Sequence, residues 1–294
     1  MYILYDKTST WEIDYIFRTL LPPEIVANAA NAAHMLLEPA ELVNLATLPQ
    51  AHPYIGNNIL IFSSNTFPYH VIVPIIMHIR PKVVIHLSDE WGRTPEFNDI
   101  AYCTKLYFRQ YHHANYDIAT ESGGPAPIQI PLGYMSGASA TGDLKPAAAR
   151  KYPWSFIGNM KHDRQTMVST FTALISGGVI RNGLSPEAMH DIYRESIFVP
   201  SGRGNVTLDC FRIYEAIIAG AIPVIVGTDE EVRATFEYGG DVPPFITAHT
   251  WDAAATRCKK MLEDTPALEK MQRDLQAWWN KQLESVQQKI RTIE

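Results

Sequence analysis

Arg212 and Glu215 stand three residues apart in the stretch Asn205–Ala221, a spacing that puts both on one face of a helix, with Ile213 and Ile217 on another. A cation and a carboxylate side by side suit a diphosphate and a ribose. Two short β-branched runs, Ile197–Pro200 and Ile222–Val226, flank this stretch, in which Ile213, Ala216, Ile217 and Gly220 recur at helical spacing. The pattern reads strand, helix, parallel strand. Such a unit places the loop Ser201-Gly202-Arg203-Gly204 at the carboxyl end of its first strand and aims a helix N-terminus at whatever binds there. Anions are favoured at that point.

The acidic dipeptide Asp89-Glu90 directly follows the apolar run Val83–Leu87. Strand ends of this kind face the ligand crevice in parallel α/β sheets, so either carboxylate could take a proton there. Arg109, near the end of a further apolar run, is a first-half cation with the same outlook. His86 lies on the buried run itself and reads as a hydrogen-bonded core residue, and His112-His113 has no spacing that requires a metal. No Asp-x-Asp pair occurs, so diphosphate charge would fall to Arg212, Arg164, Lys161 and Arg203 and to helix dipoles. Gly202-Arg203-Gly204 lacks the third glycine of a dinucleotide fingerprint, its place being taken by Thr207. Gly178 and Gly183 have the spacing of a phosphate loop, but Leu184 follows.

The elements that must position these residues alternate along the chain. Strands are expected at Tyr2–Tyr5, His34–Leu37, Asn58–Ser63, Val83–Leu87, Lys105–Arg109 and Ile128–Leu132. Helices are expected at Trp11–Leu21, Glu41–Leu48 and Tyr69–Ile79, the last one kinked by Pro74. From Gly133 to Tyr152 the composition turns to Gly, Ser, Ala, Thr and Pro, the mark of a linker. Alternation then restarts with strands at Trp154–Ile157 and Gly178–Ile180, the latter running into Arg181-Asn182-Gly183. Helices follow at Arg164–Ile175 and from Ser185-Pro186, a cap residue with proline in the first position. Beyond the central unit come a helix Asp229–Phe236, a strand Pro244–Thr247, a helix Thr250–Leu262 and one or two helices between Leu268 and Ile290.

At 294 residues, 46% hydrophobic and 19% charged, the chain is long enough for two folded domains. A net charge of −6 offers no general basic field, which disfavours nucleic acid and anionic membranes as partners. Three scattered cysteines, Cys103, Cys210 and Cys258, suggest neither a disulfide framework nor a zinc site. Met1–Tyr5 is too short for a signal peptide and no run approaches the ~20 apolar residues of a membrane span, so a soluble, cytoplasmic protein is expected. Asn205-Val206-Thr207 forms a sequon, but a glycan there would block the proposed phosphate loop.

Arg212-Ile213-Tyr214-Glu215-Ala216 followed by Ala219-Gly220-Ala221-Ile222-Pro223-Val224-Ile225 resembles the signature of exostosin-like glycosyltransferases, glycosyltransferase family 47. Phe156-Ile157-Gly158 with Arg164 resembles the entry to that family's nucleotide domain, and Val199-Pro200-Ser201-Gly202 its next strand. The likeness covers Trp154–Gly227 closely and the first half loosely. There His86-Leu87-Ser88-Asp89-Glu90 and Phe108-Arg109-Gln110-Tyr111 are closest to the ribitol xylosyltransferase branch. The resemblance implies the GT-B arrangement: two Rossmann-like α/β domains with parallel sheets facing across a cleft. Residues 1–148 would form an acceptor-binding domain and 149–270 a nucleotide-sugar-binding domain. A C-terminal helix, 271–294, would pack back toward the first domain.

The function it implies is an inverting, metal-independent transferase that moves a sugar, xylose first, from a UDP-sugar to a carbohydrate hydroxyl, with no cofactor. Glu187 and Glu195 have the Glu-x7-Glu spacing of retaining enzymes but stand on the helix before the central strand, which favours inversion. The implied donor residues are Gly158, Lys161, Arg164, Arg181, Asn182, Ser201, Gly202, Arg203, Thr207, Arg212 and Glu215. Asp89 or Glu90 is the implied base, and Arg109 lies on the acceptor or phosphate side. A nucleotide-sugar epimerase or hydrolase of the same fold, and a non-enzymatic two-domain sugar-binding protein, are the rival readings.

Overall fold

The computed structural model describes residues 1–30, 34–113, 125–138 and 144–293, so the middle of the expected linker, residues 139–143, lies outside the described residues. The chain divides into two compact units, Met1–Pro131 with Leu283–Glu294, and Leu132–Gln282.

In the first unit the described strands are β1 (Tyr2–Asp6), β2 (His34–Leu37), β3 (Asn58–Ser63), β4 (Val83–Leu87), β5 (Leu106–Arg109) and β6 (Ile128–Gln129). They form one sheet in the order β2-β1-β3-β4-β5-β6, and every pairing is parallel. Every residue of β3 and β4 is buried, as expected of central parallel strands that read as unbroken β-branched runs. Leu60, Phe62 and Val84 pack with Ile72, Ile75, Ile76 and Ile79 of the helix Tyr69–Ile79. That helix runs through Pro74 as a single element and stops at Arg80, whose φ of 48° is left-handed. The expected helix Trp11–Leu21 is instead one α turn, Ile13–Tyr15, continued by a π-helix, Ile16–Leu20. It ends because Leu21, preceding Pro22, is held extended. β6 is shorter than expected: Pro131 has no N–H to offer, and only Ile128 and Gln129 pair, with Phe108 and Arg109.

The second unit holds β7 (Tyr152–Ile157), β8 (Val179–Arg181), β9 (Ser196–Pro200), β10 (Ile222–Val226) and β11 (Ile246–Ala248) in the order β11-β10-β9-β7-β8, again parallel throughout. Its core joins Trp154, Phe156, Phe198, Ile222 and Val224 to Met167 and Phe171 of one helix and to Trp251 and Cys258 of another. Gly178 is fixed by this packing, since a Cβ there would stand 2.1 Å from the Trp154 indole. Arg150 is buried as a brace, donating to the carbonyls of Lys145, Tyr193, Ser196 and Ala219.

The central unit is β9, a helix Phe211–Ile218, and β10, which pairs with β9 in parallel. The helix is shorter than its apolar spacing suggests. Asn205–Cys210 remain loop, and Gly220 falls beyond the helix at φ 73°, where a Cβ would stand 2.5 Å from Arg150 Nη2. One long helix, Thr265–Arg291, ends the chain, and from Leu283 onward it belongs to the first unit. There Gln287 donates to the Thr19 carbonyl at 2.9 Å and Arg291 pairs with Glu24. No helix among the described residues is long and apolar enough to cross a membrane.

Candidate functional site

At the carboxyl ends of β7 and β9 the second unit gathers most of the residues expected to bind the donor. Directly after β7, Gly158 adopts φ 148°, and a Cβ there would stand 2.5 Å from Arg212 Nη2. Glycine is therefore needed both for the backbone and for the approach of Arg212. The guanidinium uses this approach to donate twice to the Ile157 carbonyl, at 3.1 Å each, and lies 4.8 Å from the Phe156 ring centroid. Arg212 thus locks the end of β7 to the central helix.

Arg164, at the start of the helix Arg164–Leu174, is buried and ties two loops together: Nη1 donates to the Asn159 carbonyl at 3.1 Å and Nη2 to the Arg203 carbonyl at 2.8 Å. Its Nε has no hydrogen-bond partner among the described residues. Gly202 packs against the same side chain, a Cβ there meeting Arg164 Cγ at 2.6 Å. Ser201 is buried, and its N–H continues the sheet to the Val224 carbonyl. Thr207 turns its carbonyl to the Gly204 N–H and its hydroxyl to the Asp209 N–H. Lys161 reaches Asn205, and Asn182, after β8, donates to Asn159 at 2.9 Å.

Two expected donor residues point elsewhere. Arg181 is exposed, with its guanidinium on the neighbouring Ile180 carbonyl. Arg203 turns toward the helix Asp229–Phe236 and pairs with Glu231 at 2.7 Å.

Glu215 is only 3% exposed, so it and Arg212 do not share the open polar face the sequence suggests. Burial pushes its carboxyl up from 4.5 to about 7, opposed by the Arg212 charge and by the Met135 backbone. Oε1 has no hydrogen-bond partner among the described residues. A buried acceptor left unmet is costly in a folded protein, and it marks a place where a hydroxyl donor would be favoured.

In the first unit, the loop after β4 is held from several directions. Ser88 stands at φ 63°, its N–H donating to Gln110 Oε1 at 2.8 Å and its hydroxyl to Glu12 Oε1 at 3.1 Å. Asp89 is buried, and Oδ2 accepts from Arg109. Arg109 is 1% exposed and also donates to Asn98 at 3.2 Å, so the cation expected to meet substrate is enclosed beside Asp89. Glu90 is half-buried on the same loop. Beneath it His86 is a core residue, bonded to the Tyr107 hydroxyl at 2.8 Å and stacked on Phe62, with burial and then Arg109 holding it well below the usual histidine range.

Glu12 was not singled out by its sequence, yet it is 1% exposed and burial raises it from 4.5 to about 7. It stands in the connection after β1, which β3 separates from β4 in the sheet, and the Ser88 hydroxyl links it to the loop that carries Asp89. Among the described residues no group of three or more His, Cys, Asp and Glu is placed to hold a metal ion. Glu187 is exposed and Glu195 pairs with Lys145 at 2.6 Å.

The fold is GT-B, the two-domain architecture of glycosyltransferases, with a parallel sheet in each unit. Among solved structures, an alpha-glucosyltransferase in complex with UDP superposes with a TM-score of 0.59 at 9% identity, covering 99% of this chain and 98% of that one. The alpha-glucosyltransferase in complex with UDP and a 13-mer DNA containing a HMU base gives 0.58 at 8% identity, over the same shares. A complex with UDP-glucose and DNA containing an abasic site gives 0.55 at 9%, again over 99% and 98%. No protein-family model matches the chain, and no curated protein matches it.

Proposed function

We propose that this protein is a glycosyltransferase that takes a UDP-sugar and transfers its sugar to a carbohydrate hydroxyl, with inversion and without a metal ion. The observation that carries the reading is Glu215: a buried carboxylate with one acceptor atom unmet among the described residues, on the helix of a βαβ unit whose loop packs on Arg164 through Gly202 and whose helix approaches Gly158 through Arg212. A ribose hydroxyl donating to Oε1 would satisfy that atom. The unpartnered Nε of Arg164, with Lys161 beside the loop, supplies positive charge for a diphosphate. The bound UDP and UDP-glucose of the superposable structures agree with this choice of donor.

In the reaction the acceptor oxygen bonds to the anomeric carbon while the bond from that carbon to the diphosphate breaks, and UDP departs with the electron pair. The acceptor's proton passes to a carboxylate. Glu90 is proposed for this role, with Asp89, already engaged by Arg109, holding the loop. Xylose is the first donor sugar to try. The absence of Asp-x-Asp in the sequence supports metal independence.

The test is product analysis with a panel of UDP-sugars against oligosaccharides and against DNA bearing a hydroxymethylated base, with and without chelator, reading the new anomeric configuration by NMR. Transfer to sugar with inverted configuration in chelator is expected. Retention, or abolition by chelator with rescue by manganese, overturns those parts of the reading, and transfer to DNA alone overturns the acceptor. Glu215→Ala is expected to weaken UDP binding by about 1–3 kcal/mol, the range for a lost charge-assisted hydrogen bond. Unchanged affinity by calorimetry in a folded variant removes Glu215 from the site. Glu90→Gln is expected to keep UDP affinity and lose roughly 100-fold in turnover; near-normal turnover at saturating substrates excludes it as the base.

A further inference from the structure

Exposed apolar side chains that are grouped on a surface, unlike those scattered singly, mark interaction sites. Trp11 is 62% exposed and Trp91 53% exposed, and they flank the two acidic loops at the carboxyl edge of the first sheet. Those loops touch each other, since the Ser88 hydroxyl donates to Glu12, the residue after Trp11. Neither exposure comes from a loose segment. Around Trp91, Ser88 is held by Gln110, Asp89 by Arg109, and the Asp89 carbonyl by His113 Nε2 at 2.8 Å. Gly92, at φ 54°, admits the His113 ring, which a Cβ there would meet at 2.4 Å. Before Trp11, Asp6 accepts from the Thr8 N–H, the Thr8 hydroxyl and the Ser9 hydroxyl, and the Tyr5 hydroxyl donates to the Ser9 carbonyl. The fold thus presents two indoles on braced loops, with Arg93 lying 4.6 Å from the Trp91 centroid.

We propose that Trp11 and Trp91 are binding residues for a neutral oligosaccharide, which they hold by stacking on its sugar rings while Glu90 accepts from its hydroxyls. This deepens the transferase reading and rests on it for the word acceptor. The C–H face of a pyranose carries a slight positive charge and meets the negative face of an indole well. Such a ligand needs both an apolar face and hydroxyl donors, which is what an indole beside a carboxylate recognises. Local charge argues against a polyphosphate: Asp14 pairs with Arg18, Asp89 pairs with Arg109 and Glu12 is buried, so Glu90 and Arg93 give the stretches 11–14 and 88–93 no excess of cations. A nucleic acid would find no excess of cations there.

The experiment measures equilibrium binding of xylohexaose, cellohexaose and maltohexaose, and of a DNA duplex carrying a hydroxymethylated base, to the full chain by calorimetry and saturation-transfer NMR. UDP affinity is measured on the same samples. At least one hexaose is expected to bind, with Trp11→Ala and Trp91→Ala each weakening it about five- to tenfold, the size of one aromatic contact. Trp91→Tyr should retain most of the affinity, because it keeps a ring, and UDP affinity should be unchanged. Binding of no hexaose, unaltered binding by the double alanine variant, or DNA binding tighter than every hexaose and lost in the same variants overturns the proposal. Should the hexaoses bind through the tryptophans while UDP does not bind at all, the platform stands and the transferase reading falls.

Discussion

Arg109→Leu is expected to destabilise the first unit by about 3–5 kcal/mol, the cost of leaving one member of a buried ion pair behind. Arg109 is 1% exposed, at the end of β5, and its guanidinium meets Asp89 and Asn98 inside the sheet edge. Without it the Asp89 carboxylate would stay in a low-dielectric site stripped of its arginine, and the loop from Ser88 to Gly92 would lose one of its fixings. Asp89→Asn combined with Arg109→Leu should recover part of the loss, because no net charge is then stranded. Urea denaturation of the wild type, both single variants and the double variant measures the coupling. A loss below about 1 kcal/mol in Arg109→Leu would mean that water serves the carboxylate as well as the arginine does. The same four proteins separate structure from chemistry at Asp89: a turnover loss that tracks stability belongs to loop positioning, whereas loss in a stable protein belongs to proton transfer.

The alternation of buried β-branched runs with helical spacing was enough to read two parallel sheets, because a strand covered on both faces leaves an unbroken apolar signature. Element ends were less legible where one residue decides them. Leu21 is extended by the proline that follows it, and Asn205–Cys210 form a loop although apolar Val206 and Leu208 continue the pattern. Gly158 and Gly202 could be picked out because a motif drew attention to them, and the structure supplies the reason, the approach of Arg212 and Arg164. What no sequence pattern carries is which polar groups the packing encloses. Arg109 and Glu215 read as ligand-facing charges and Glu12 is not singled out, yet all three are buried, their depth being set by neighbours far along the chain. Trp11 and Trp91 are the converse, large apolar side chains that the fold leaves largely exposed.

Between about pH 4.5 and 7 the protein is expected to lose stability as pH rises, because Glu12 and Glu215 are both raised from 4.5 to about 7 by burial. In that window each carboxyl is ionised in the unfolded chain but still protonated in the folded one. The folded state therefore binds more protons, and stability falls with increasing pH until both have ionised, then levels off. At about 1.4 kcal/mol per pH unit, each group accounts for roughly 3 kcal/mol at most. The two together are a large share of the stability of an ordinary domain. On the acid side, exposed Glu24 and Glu187 and half-buried Glu195 and Asp241 are lowered by their hydrogen bonds, so stability should also decline below about pH 4.5 and peak near it. Glu12→Gln keeps an acceptor for the Ser88 hydroxyl and Glu215→Gln keeps one for the Met135 backbone, so each should flatten its share of the slope and raise stability at pH 8 by roughly 2–3 kcal/mol. Denaturant titrations at pH 5, 6, 7 and 8 on the wild type and both variants read this directly, and a flat wild-type profile or variants with the full slope would refute it. UDP adds a second reading. Ribose hydroxyls favour the ionised carboxylate, so saturating UDP should lessen the slope that belongs to Glu215 and leave the slope that belongs to Glu12 unchanged.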